Sequence, residues 1–120
     1  MPQPRFIDHK GTRILYLDCA RASPLEHARG MRAAAAVIAP EPPGSVLLLV
    51  DVTGAAENAQ THEVIREFVE EAGPRLRARA VVGLAGLRRV FFERARRELP
   101  GEHAAFDDLE VARDWLAAHG

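Results

Sequence analysis

Residues 45–54 read Ser-Val-Leu-Leu-Leu-Val-Asp-Val-Thr-Gly, the longest unbroken apolar run in the chain. The run does not alternate, so it predicts a strand buried on both faces rather than a half-wet edge. It closes on the polar turn Asp51-Val52-Thr53-Gly54, and a helical pattern follows. That order sets the carboxyl end of a strand beside a helix amino terminus, where ligands of open α/β sheets usually bind. A strand of this kind needs cover on both sides, and the rest of the chain reads as that cover.

Before it, Phe6-Ile7 and residues 13–19 read as two strands joined by His9-Lys10-Gly11-Thr12, where Gly11 can take the positive φ of a tight hairpin. Ser23-Pro24-Leu25-Glu26 opens a helix through a capping box with proline in the first turn. Leu25, Ala28, Met31, Ala35 and Ile38 form its apolar face, and Pro40, Pro42, Pro43 and Gly44 stop it. After the central strand, residues 61–72 predict a helix with Val64, Ile65, Phe68, Val69 and Ala72 inward, ended by Gly73-Pro74. Residues 78–84 read as another strand. A third helix over 87–99 is expected to set Leu87, Val90, Phe91 and Leu99 against the core and leave Phe92 exposed. Residues 103–106 suit an edge strand. Asp107-Asp108-Leu109-Glu110 reads as a capping box for a last helix with Leu109, Ala112, Trp115 and Leu116 inward. The expected fold is α/β: a mixed sheet of four or five strands, opened by a hairpin and packed by about four helices.

With 120 residues the chain suits one domain. A net charge of −1 gives no field that argues for nucleic acid or a membrane surface. The one cysteine, Cys19, excludes a disulfide framework and a multi-thiolate zinc site, and reads as a small buried apolar residue. No run approaches the length of a membrane span, and the start lacks the blocks of a signal peptide, so a cytoplasmic protein is expected. The basic residues are arginines apart from Lys10, which disfavours lysine-based catalysis.

No enzyme constellation emerges. The five histidines, His9, His27, His62, His103 and His119, lack metal-ligand spacing and read as surface residues. No nucleophile elbow is present. Gly83-Leu84-Ala85-Gly86 is short of both a phosphate loop and a dinucleotide fingerprint. Asp51 stands where receiver domains carry a phosphoacceptor, but their acidic pair and distal lysine are missing. The expectation is a non-enzyme without cofactor or metal.

Two features carry a binding function. Asp51-Val52-Thr53-Gly54 and Gly83-Leu84-Ala85-Gly86 are predicted to leave neighbouring parallel strands side by side. With Asn58, Thr61, Arg88 and Arg89 near two helix amino termini, they define a crevice for a phosphate or carboxylate, or an ordinary pair of capped loops. Charge is also segregated. Arg75, Arg77, Arg79, Arg88, Arg89, Arg94, Arg96 and Arg97 follow an acidic stretch with Glu57, Glu63, Glu67, Glu70 and Glu71. On the third helix this suits an acidic partner or a lipid headgroup, or a solvated face with pairs such as Glu93 with Arg97.

The hairpin, the strand–helix repeats, V-L-L-L-V-D-V-T-G at 46–54, A-V-V-G-L at 80–84 and F-D-D-L-E-V-A-R-D-W-L at 106–116 together resemble the STAS domain of bacterial anti-sigma factor antagonists. The likeness is closer to the STAS-like branch related to CRAL-TRIO lipid-binding domains, and it spans about residues 13–118. It implies a regulatory module engaging a protein partner, such as a kinase or anti-sigma-like regulator, or a small anionic or lipidic ligand. Phosphoregulated members carry D-S-S-G at the second helix start. Here Ala59-Gln60-Thr61-His62 stands there, so Thr61 is the candidate phosphosite, with an N-cap as its other reading. The resulting expectation is a binding module using Asp51, Thr53, Gly54, Asn58, Thr61, Gly86, Arg88 and Arg89, with a homodimer left open. The alternative is a small-ligand or lipid-binding protein using a gap between helices and sheet.

Overall fold

The run around Leu48 is the middle strand of a five-stranded sheet. The computed structural model describes residues 2–120. Strands β1 (Arg5–His9), β2 (Thr12–Asp18), β3 (Val46–Asp51), β4 (Leu76–Val82) and β5 (Glu102–Phe106) lie side by side in chain order. β1 and β2 form the antiparallel hairpin, and every later pairing is parallel. Adding parallel strands in one direction with one crossover hand sends each connecting helix to the same face. Accordingly α1 (Pro24–Ile38), α2 (Ala59–Ala72) and α3 (Leu87–Ala95) serve one face, and α4 (Leu109–Ala117) returns to cover the other. No helix is long and apolar enough to cross a membrane among the described residues.

The two-residue period of β3 divides the core. Val46, Leu48 and Val50 join α1 and α2, while Leu47 and Leu49 join Ala112 and Leu116 of α4. The register against β4 shifts at one point. Val46 sits opposite Leu76 and Leu47 opposite Ala78, so Arg77 is an extra residue in β4. This bulge turns Leu76 to the α1–α2 face, and the regular register beyond it places Arg79 beside Leu48 and Val81 beside Val50 on that face. Charge thereby enters an apolar layer.

The elements match the sequence expectation, with local corrections. α2 starts earlier than expected and is capped by Asn58, with Thr61 at N3 completing the box. α4 has a plain aspartate cap, Asp108, receiving the N–H groups of Glu110 and Val111. α3 is short and buries none of its residues. Leu87 is 71% exposed and Phe91 60%, while Phe92, expected outside, packs partly against the core. The cause is the sheet edge. α3 packs on the edge strand β5 and not against α2, so Leu87 and Phe91 face an open gap toward α2. Leu25 of α1 is exposed too. Glu93 pairs with Arg96 rather than Arg97.

Two of the histidines read as surface residues are core residues, His27 at 1% and His103 at 4% exposure. Burial lowers the pKa of both, with the Glu57 carboxylate and Ala56 carbonyl opposing it at His27 and the Pro100 carbonyl opposing it at His103. A histidine whose folded pKa is depressed adds no acid penalty well above its ordinary value of 6.5. As pH falls through that value the unfolded chain gains the proton first, so stability drops until the folded ring also titrates. The urea midpoint is therefore expected to fall between pH 7.5 and 5.5, and His27→Met should flatten part of that slope. Equal midpoints at the two pH values would contradict it.

Candidate functional site

The premise that β3 and β4 run parallel and end together holds, since Asp51 lies opposite Val82. The turns beyond them are filled by their own backbone. The Asp51 carboxylate accepts the Thr53 N–H at 2.9 Å and the Thr53 hydroxyl at 2.6 Å. The Thr53 carbonyl accepts Arg21 N–H, and the Gly83 N–H donates to Phe106. Gly83 has φ +89, and a Cβ there would lie 2.6 Å from Thr53 Cα. Its glycine is required by this close backbone approach, not by a phosphate. Gly54 packs near the Arg21 side chain. Gly86, with φ 59, starts α3 without a side-chain cap.

The polar side chains expected at the crevice are also engaged internally. Asn58 and Thr61 satisfy each other at the α2 start, and the fully buried Thr61 hydroxyl reaches the Pro24 carbonyl at 3.2 Å. Phosphorylation there would require the start of α2 to part from α1. Arg88 donates to the Ala55 carbonyl at 2.7 Å and lies 3.6 Å from Glu57. Arg89 pairs with Asp107. These residues surround the strand ends but do not converge on one cavity; of them only Arg88 borders the groove described next.

That groove opens between α2 and α3, above β4, with a volume of about 570 Å³. Val50 and Val81 lie on the sheet side, Ile65 and Val69 on α2, and Leu87, Phe91 and Phe92 on α3. The volume falls within the roughly 300–1,000 Å³ of typical small-molecule sites. Its origin is the mismatch described above: α1 and α2 seal their part of the sheet, while α3 stands over the edge and does not close against α2. Another depression, about 540 Å³, is walled by Arg5, Tyr16, Asp18, Arg21 and Glu26, and most of these groups face solvent.

Two buried polar side chains, Arg79 and His27, line the apolar groove, and His103 stands behind Arg79. Arg79 is 8% exposed and forms no salt bridge among the described residues. Its Nε donates to His103 Nδ1 at 3.1 Å, and its guanidinium lies 5.1 Å from the centre of the Phe92 ring. His103 Nε2 lies 2.8 Å from the Pro100 carbonyl, so the proton belongs on Nε2 and Nδ1 is free to accept. Burial alone pushes the Arg79 pKa down to about 10, which leaves it a cation at neutral pH. His27 contributes a buried Nδ1 with no hydrogen-bond partner. Glu57 stands at the rim between His62 at 2.8 Å and Arg88.

Arg79, His27, His103 and Phe92 were thus missed or misplaced by sequence reasoning. One signal was available: Arg79 interrupts the apolar run Ala78, Ala80, Val81, Val82 at a strand-interior position. Cys19 is fully buried, and burial pushes its thiol up to about 12, as suits an inert core residue.

No protein-family model matches the sequence, and no curated protein matches it. Among solved structures, the chain is similar to an uncharacterized protein of the DUF3478 family with a SpoIIAA-like fold from Shewanella loihica PV-4. The identity is 16% and the TM-score 0.77, with 97% of this chain and 95% of that chain covered. At that identity the likeness shows the fold alone, and that fold is the STAS-like one.

Proposed function

We propose that this chain is a non-catalytic binding module whose ligand occupies the groove between α2 and α3, rather than the strand-end turns. The observation that carries the reading is the groove itself, an apolar channel of about 570 Å³ beside the exposed Leu87 and Phe91. At the turns, by contrast, Asp51, Thr53, Asn58 and Thr61 bond to one another or to backbone, which leaves few free groups for an anion. Exchange of a ligand fits a short helix with no buried residue, because local opening costs least where little apolar surface is sealed.

An uncharged fluorescent probe, N-phenyl-1-naphthylamine, tests the groove apart from any charge. Saturable binding to the folded protein is expected, weakened at least tenfold by Val69→Trp, which fills the α2 wall. Absence of saturable binding, or equal binding by a folded Val69→Trp protein, would contradict the groove reading.

A further inference from the structure

We propose that the ligand of this groove is a carboxylate carried on an apolar chain, and that Arg79 receives its head group. The inference rests on the groove reading and adds the chemistry of the ligand. A buried cation with no acid beside it is costly, because desolvation is not offset by any Coulombic partner. The protein supplies Arg79 with one hydrogen bond, from Nε to His103, and one aromatic face, that of Phe92. These two contacts fix the plane of the guanidinium and leave its terminal amino groups as a two-pronged donor. A planar carboxylate matches that fork, and an arginine so held loses little freedom on pairing.

Charge balance selects a monoanion. Arg88, the other cation of the groove, already has Glu57 within 3.6 Å and the Ala55 carbonyl within hydrogen-bond distance. A doubly charged phosphate would carry an excess charge into the apolar walls, and the Glu57 carboxylate at the rim would repel it. The tail of the ligand would lie along Val81, Val69, Ile65 and Phe91. The orphaned His27 Nδ1 gives the same groove a buried polar atom without a partner in the protein.

Isothermal titration calorimetry with decanoate, decan-1-ol and decyl phosphate separates the elements of the proposal. The native protein should bind decanoate at least tenfold more tightly than decanol, and more tightly than decyl phosphate. Arg79→Met should lose at least tenfold in decanoate affinity while holding decanol as well as before, which also reports that the groove is intact. Arg94→Met, at an exposed arginine of α3, should leave all three unchanged. Equal native affinities for decanoate and decanol would overturn the carboxylate assignment and leave the groove standing. Tighter binding of decyl phosphate would overturn it in favour of a dianion. Failure of every probe would remove the groove reading as well. The comparison of ligands on native protein decides the matter even if Arg79→Met does not fold.

Discussion

Replacing Gly83 with alanine is expected to destabilise the protein by about 2–5 kcal/mol, since of the described glycines it leaves an added methyl group the least room. The added Cβ would sit 2.2 Å from Thr53 Oγ1, 2.6 Å from Thr53 Cα and 2.7 Å from Thr53 N. A φ of +89 adds a penalty of about 1–2 kcal/mol for any L side chain, and overpacking of a tight contact costs about 1–3 kcal/mol more. Urea or thermal denaturation measures the sum. Thr53→Ala should not rescue it, since two of the three closest atoms belong to the Thr53 backbone. A Gly83→Ala protein as stable as the native one would mean that the ends of β3 and β4 are not in contact there.

Replacing Arg79 with methionine should act in the opposite direction and make the ligand-free protein more stable by about 1–2 kcal/mol. The effective penalty for holding an ion in a protein interior is several kcal/mol. Against it stand the hydrogen bond to His103, whose loss leaves the buried Nδ1 without a donor at about 1–3 kcal/mol, and the contact with Phe92, worth about 0.5–2 kcal/mol. Methionine matches the stem of arginine as far as Nε and suits the apolar neighbours Leu48 and Val81. A higher denaturation midpoint with unchanged cooperativity is the expected observation. A clear loss of stability would mean that Arg79 is a structural residue already satisfied by its surroundings, and the reason to seek an anionic ligand would disappear. Gained stability with lost binding is the pattern of a residue retained for function.

These two positions also show which parts of the molecule can be read without coordinates. The doubly buried strand was legible because Val46, Leu47, Leu48, Leu49 and Val50 leave no polar face, and one such strand in a chain with helix signals on both sides dictates a covered sheet. The capping chemistry at Ser23 and the glycine-proline stop after Ala72 likewise act through neighbouring residues, so the sequence displays them directly. The glycine at Gly83 was visible, yet its reason was hidden, because the atom it makes room for lies in another strand. Arg79 needed more still. Its inward direction depends on the bulge at Arg77, and a bulge is a property of pairing with β3 rather than of β4 alone. The inward turn of Phe92 and the burial of His27 and His103 have the same origin: each is decided by what stands opposite. The turn residues Asp51 and Thr53 and the capping pair Asn58 and Thr61 were recognisable as polar groups at the expected place, but whether they serve one another or a ligand is settled only in three dimensions.

The most direct test follows the Arg79 side chain itself. In a nitrogen-15 NMR titration with decanoate, the Nε–Hε signal of Arg79 and the backbone amides of Ile65, Val69 and Phe92 are expected to shift together and saturate at one equivalent. The amides of Asp51, Thr53 and Gly54 should remain in place. Shifts centred on Asp51, Thr53 and Gly54 with Arg79 unmoved, or no saturable shift at all, would contradict a head group seated on Arg79 between α2 and α3.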